Sequence, residues 1–264
     1  MTKNRLDKYY TNPFLAQALI AETWKIIGQE NITECIEPSA GNGAFSKQIT
    51  NCIAYDIEPD DPSIIQQDFL QLNLPYKKGR LFIGNPPFGD RNGLSVKFYQ
   101  KCVEMGDYIA FIQPISQYKQ NCQLYQFDLI YSVDLGEIDY SNIRLHCCFN
   151  IYKRPESGKL NKKPDFSLQM CKLIDWRRNA PKQIPPDYDF GLCVWGNGSF
   201  GKKTEYVGQF AHEIYFFIDP AFKKKVYDAV ETDKIRSYAQ AISMKKMSMG
   251  RLQMYLKEQI PDIY

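Results

Sequence analysis

Through its first 150 residues this chain alternates short apolar runs with helical patterns, and that alternation constrains the fold more than any other feature of its 264 residues. Seven stretches read as strands: ITECIEP (32–38), CIAYDIEP (52–59), a shorter SIIQQDFL (63–70), RLFIGNPPF (80–88), DYIAFIQP (107–114), FDLIYSVDL (127–135) and HCCFNIYKR (146–154). PFLAQALIAETWKII (13–27), AFSKQITN (44–51) and LSVKFYQKCVEM (94–105) read as helices. Pro13 stands where a helix start tolerates a missing N–H, and Leu94, Phe98, Cys102 and Met105 share one face. Strands and helices interleaved at this spacing predict an α/β fold, a doubly wound and mostly parallel sheet of seven strands with helices on both faces.

After Lys153 the texture changes. RPESGKLNKKPDFS (154–167) is polar and turn-rich, so the expected division is 1–155 for the sheet domain and 156–264 for a smaller α+β region. That region mixes strand patterns (DFGLCVW, HEIYFFID) with a glycine-dense WGNGSFGKKTEYVG and two helical patterns, PAFKKKVYDAVE and SMGRLQMYLKEQ. Residues 1–150 hold 13 Lys and Arg against 17 Asp and Glu, a balance of −4; residues 151–264 hold 20 against 13, a balance of +7. A basic second half suggests a polyanion as partner, though a lysine-rich surface alone accounts for it equally well. With 44% hydrophobic and 24% charged residues the chain is core-forming. It has no apolar run long enough for a membrane span, and MTKNRLDKYYTNPF lacks the apolar core of a signal peptide, so a cytoplasmic protein is expected. Eight cysteines form no C-x-x-C pair and only His146 and His212 accompany them. Zinc-type spacing is absent, so the expectation is buried, reduced thiols and no metal.

The strand ends carry the chemistry. The first runs into EPSAGNGAFS, where Gly41 and Gly43 permit positive φ and close approach of a ligand to the backbone. This is not G-x-G-x-x-G, and alone it is equally a plain turn. The second strand ends in Asp56, a carboxylate placed to accept ribose hydroxyls. The third ends in Asp68, suited to an adenine amino group, with Ile57 and Phe69 offering apolar contacts to the ring. Three tips converging on one sheet edge favour a nucleoside pocket.

EPSAGNGAF followed by GNPPF resembles the S-adenosylmethionine-dependent amino-methyltransferases, above all the DNA adenine-N6 methyltransferases. DKYYTNPFLAQAL (7–19) is similar to the D-x-Y-Y-T-P stretch that precedes the cofactor motif in one subclass, with Asn12 inserted between Thr11 and Pro13. The motif order resembles the gamma arrangement, in which target recognition lies C-terminal, and the likeness covers roughly residues 7 to 153. It implies S-adenosylmethionine as cofactor, held by Tyr10, Thr11, Glu37, Pro38, Ser39, Ala40, Gly41, Gly43, Phe45, Asp56, Ile57, Asp68, Phe69 and Asn85. It also implies a nucleic-acid acceptor, double-stranded DNA first, and leaves open a partner subunit or homodimer and an associated restriction enzyme. Asn85, Pro86, Pro87 and Phe88 are then catalytic.

The chemistry suits those residue types. An exocyclic amine is a poor nucleophile because its lone pair is delocalised into the ring. The Asn85 side-chain oxygen and the Pro86 carbonyl can accept its two protons, on a backbone whose φ the prolines fix, while Phe88 stacks on a base flipped from the duplex. Softer candidates are QPISQYKQ (113–120) as pocket lining, Tyr140 or His146 as support for the base, and Trp195, Phe200 and the following lysines as backbone contacts. Rival readings keep the motif and change the acceptor to RNA adenine, cytosine N4 or protein glutamine, or make the chain a catalytically silent nucleic-acid-binding module.

Overall fold

The computed structural model describes residues 9–89, 92–120, 122–140, 143–196, 198–241 and 246–263. The chain divides into two compact units, Met1–Lys163 and Pro164–Tyr264.

Unit 1 is built on seven strands: β1 (Glu34–Glu37), β2 (Ile53–Asp56), β3 (Ile65–Gln66), β4 (Arg80–Gly84), β5 (Tyr108–Pro114), β6 (Asp128–Tyr140) and β7 (Ile143–Lys153). Their order is β3-β2-β1-β4-β5-β7-β6; β3 to β5 run parallel, and β7 lies antiparallel between β5 and β6. This is the mostly parallel, doubly wound sheet that the alternating pattern predicts. Every residue of β4 is buried, as expected of a central strand covered on both faces. Its side chains alternate between two cores. Leu81 and Ile83 join the layer of α1 (Pro13–Ile27), and Phe82 joins that of α2 (Gly93–Met105). Asn12, the insertion before Pro13, caps α1: its side-chain oxygen accepts from the Phe14 amide at 2.8 Å.

One predicted helix is missing. Residues 44–51 form only a 3₁₀ turn, Ser46–Gln48. Glu37 takes the amides at the turn's start, and Asn51 ends the segment at a φ of 59°, so the connection to β2 closes before a second helical turn can form.

Unit 2 is a smaller antiparallel sheet in the order β10-β9-β11-β8, formed by β8 (Cys171–Arg177), β9 (Phe190–Cys193), β10 (Lys203–Thr204) and β11 (His212–Ile218). Beside it are α3 (Lys223–Ala229), α4 (Thr232–Ala241) and α5 (Met249–Gln259), sharing one core with Phe190, Ile214, Phe216, Ile235, Leu252 and Leu256. β8 and α4 were not legible as elements in the sequence. No helix among the described residues is long and apolar enough to cross a membrane.

Candidate active site at the strand tips of unit 1

In a sheet that winds outward from β1 in both directions, the crevice between the carboxyl ends of β1 and β4 is where ligands bind. Here the two tips touch. A Cβ added to Gly84 would lie 3.4 Å from the Glu37 side chain.

Asn85 follows Gly84 directly. Its amide nitrogen lies 3.3 Å from the Tyr9 carbonyl, 3.2 Å from Thr11 Oγ1 and 3.3 Å from Tyr140 Oη. The Tyr9 carbonyl can only accept, so the nitrogen of the amide must face it. Asn85 Oδ1 and the Pro86 carbonyl accept no hydrogen bond among the described residues and are available to a donor. Tyr140 is buried, which pushes its phenol well above the usual range and keeps it protonated. Phe88 is also buried, with Tyr9 packed against both it and Tyr140 at ring separations of 6.4 and 5.2 Å.

The same N-terminal stretch reaches the glycine turn. The Tyr10 ring lies against Gly41, where an added Cβ would meet it at 3.3 Å, and the Tyr10 hydroxyl donates to Asp60. Tyr9, Tyr10 and Thr11 are consecutive, at about 3.8 Å per residue, so one short segment ties Asn85 to the turn. Gly41 and Gly43 have φ values of 54° and 78°, as the turn requires.

Glu37 is 2% exposed and accepts from the amides of Ser46, at 2.7 Å, and Phe45, at 3.4 Å. Burial pushes its carboxyl up to about 7 against the lowering effect of those donors, with a further upward push from Asp56. Asp56 is buried and accepts from Gly41 N at 2.7 Å and Glu58 N at 2.9 Å. A carboxylate offers about four acceptor sites, so both oxygens keep capacity for a ligand hydroxyl. Pro38 and Ala40 are buried and Ser39 half-buried in the wall of the turn; the Ala40 amide is spent on Tyr55 O. Asp68 Oδ1 accepts from Leu70 N, and Oδ2 has no partner among the described residues. Ile57 is 50% exposed beyond the β2 tip.

Two of the residues expected to hold the cofactor have buried rings. Phe69 is 2% exposed and stacks on Phe98 at 5.5 Å inside the α2-side core, and Phe45 is fully buried against α1. Both are apolar residues beside functional ones, and the core claims their side chains. Of the two candidates for base support, Tyr140 reaches Asn85, whereas His146 pairs with Asp134 across the β6–β7 hairpin at 2.7 Å. Tyr9 is the residue that sequence reading missed; its adjacency to Tyr10 and Thr11 was the available signal. The segment 113–120 is anchored by a buried amide network in which Asn150 Nδ2 donates to Gln113 Oε1 and the Gln117 carbonyl, both at 2.9 Å. In unit 2, Phe200 is buried, Trp195, Lys202 and Lys203 are exposed, and the Lys203 ammonium lies over the rings of Phe190 and Tyr227.

The chain matches no protein-family model and no curated protein. Solved structures similar to it include a presumed RNA methyltransferase from Pyrococcus horikoshii, with 15% identity, a TM-score of 0.47, and coverage of 58% of this chain and 90% of that one. Another is a protein from Thermoplasma acidophilum (18%, 0.42, 58% and 93%). A third is the 23S rRNA methyltransferase ErmE (15%, 0.40, 56% and 70%). With likenesses this loose, what the chain does has to be argued from its own residues.

Proposed function

We propose that unit 1 binds S-adenosylmethionine in the crevice between β1 and β4 and methylates the exocyclic N6 amine of adenine in DNA, after the base has left the duplex. The observation that carries this reading is the orientation of Asn85. Three acceptors hold its nitrogen, and its oxygen is left to a donor beside the glycine turn.

The residues at the tips suit such a cofactor: the Gly41–Gly43 turn for its amino-acid part, Asp56 for the ribose hydroxyls, Asp68 and Ile57 for the adenine. S-Adenosylmethionine, when bound, supplies an electrophilic methyl group on a sulfonium sulfur. The chain's own residues then have to prepare the acceptor. Asn85 Oδ1 and the Pro86 carbonyl each accept a hydrogen bond from one amine N–H, which favours a tetrahedral nitrogen with a directed lone pair. Pro86 and Pro87 fix that geometry before the base arrives. Phe88 gives the base a face to stack on, once Tyr9 shifts or shares the ring. The nitrogen becomes far more acidic once alkylated, so no side chain has to act as a general base beforehand.

The test is incubation with methyl-labelled cofactor and separate duplex DNA, RNA and protein acceptors, followed by nucleoside analysis. N6-methyladenine in DNA is the expected product. Label confined to RNA would move the acceptor, and no label anywhere would remove the proposal.

A further inference from the structure

Cys35 and Cys52 meet across the β1–β2 pair. Ile36 and Ile53 are register partners in these parallel strands, so Cys35 and Cys52, one residue earlier on each, stand side by side. Their side chains share a face. Cys35 belongs to the α1-side core and Cys52 packs against it, while Ile36 and Ile53 turn to the α2 side. The two thiols lie within hydrogen-bonding reach of each other, and that contact, together with burial, pushes the Cys35 thiol well above its usual range.

Neighbouring strands run about 4.7–4.9 Å apart, and a disulfide spans Cα separations of roughly 4.4–6.8 Å, so the pair can be bridged with little movement of either strand. Access to the two sulfurs is graded. Cys35 is 5% exposed, whereas Cys52 is half-buried where the exposed Thr50 and Asn51 lead into β2. An oxidant therefore reaches Cys52 first. The segment between the two cysteines carries Glu37, Gly41, Gly43 and the 3₁₀ turn Ser46–Gln48, so a bond between them would close a ring around the whole glycine turn. A ring of this size removes open conformations from the unfolded chain and so favours the folded one.

We propose that Cys35 and Cys52 are a redox couple that hydrogen peroxide closes into a disulfide, tying together the two strands that flank the glycine turn. Cys52 attacks first, as its thiolate: a bond forms between its sulfur and one peroxide oxygen, the O–O bond breaks, and the departing oxygen leaves as water once protonated. The Cys35 sulfur then displaces hydroxide from the Cys52 sulfenic acid. The S–S bond forms, and the Cys35 proton turns the hydroxide into a second water. Two thiols are oxidised and one peroxide is reduced to two waters. A small dithiol reverses the bond by thiol–disulfide exchange. The proposal does not depend on methyl transfer, because the bond and its readouts need neither cofactor nor acceptor.

The experiment uses the full chain, treated with near-stoichiometric hydrogen peroxide and assayed before and after reduction with dithiothreitol. Lys47 lies between the two cysteines, so trypsin separates residues 26–47 from 48–77 unless a disulfide joins them. Peroxide should remove two of the eight free thiols and join those two peptides. It should also raise the thermal midpoint by roughly 5 °C, and dithiothreitol should undo all three changes. Cys35→Ala and Cys52→Ser should each show neither the cross-link nor the rise. Absence of the cross-link between 26–47 and 48–77, a cross-linked chain whose midpoint is unchanged or lower, or a rise that persists in Cys52→Ser overturns the proposal. Should a variant fail to fold, the wild-type peptide map and midpoint decide alone: a reversible cross-link with a raised midpoint upholds the couple, and the lack of either rejects it.

Discussion

Glu37 sits two residues before the turn it organises, buried and with a carboxyl pushed up to about 7. Its folded-state pKa therefore lies above that of an unfolded glutamate, and the native state holds the proton more tightly. Its contribution to stability is fully present below the unfolded pKa of about 4.3 and is lost as pH rises through about 7. The charge that appears at neutral pH is unfavourable for the fold and favourable for a cationic ligand. Calorimetry should show affinity for S-adenosylmethionine rising between about pH 6 and 8, and Glu37→Gln should flatten that rise. Gly41 supports a second expectation. At a φ of 54°, and with Tyr10 at 3.3 Å from any Cβ, Gly41→Ala should lower the thermal midpoint and weaken cofactor binding, the backbone alone costing about 1 kcal/mol or more. Unchanged binding would place the cofactor away from this turn.

Among the elements, β6 does more than close the sheet. Its last residue, Tyr140, comes back over the tip of β4 to the Asn85 amide. Tyr140→Phe removes one of three acceptors, so turnover should fall by roughly fivefold, the worth of one modest hydrogen bond, while cofactor affinity stays level. Separate measurement of kcat and of cofactor affinity checks this; a matched loss in both would mean a structural role. The strands were legible because central parallel strands are apolar on both faces and end at turn residues, as LFIGNPP does. The 44–51 helix was misread because its composition is helical while its ends are claimed by Glu37 and by Asn51. The burial of the Phe45 and Phe69 rings was hidden for a related reason: a motif places a residue near a strand tip, and only packing decides which way its ring faces. Tyr9 contributes a backbone carbonyl, which no residue type announces.

For the molecule as a whole, the charge asymmetry was visible in the sequence but its place was not. Lys153, Arg154, Lys159, Lys162 and Lys163 supply much of the basic excess of the second half. They follow β7 where it pairs Lys153 with Tyr108, the first residue of β5, and the Asn161 side chain donates to Asp128 at the start of β6. That is the end of the sheet opposite the tips, so this basic segment lies away from the crevice. The residues proposed to hold the cofactor all belong to unit 1, and hydrogen exchange should show S-adenosylmethionine protecting amides at 38–46 and 56–58 while those of β8 to β11 exchange as before. Protection confined to unit 2 would contradict the assignment. The most direct test of the central claim is Asn85→Ala, measured for single-turnover methyl transfer to duplex DNA and for cofactor binding in the same preparation. The account predicts that transfer falls below detection while the cofactor still binds; transfer at the wild-type rate would contradict it.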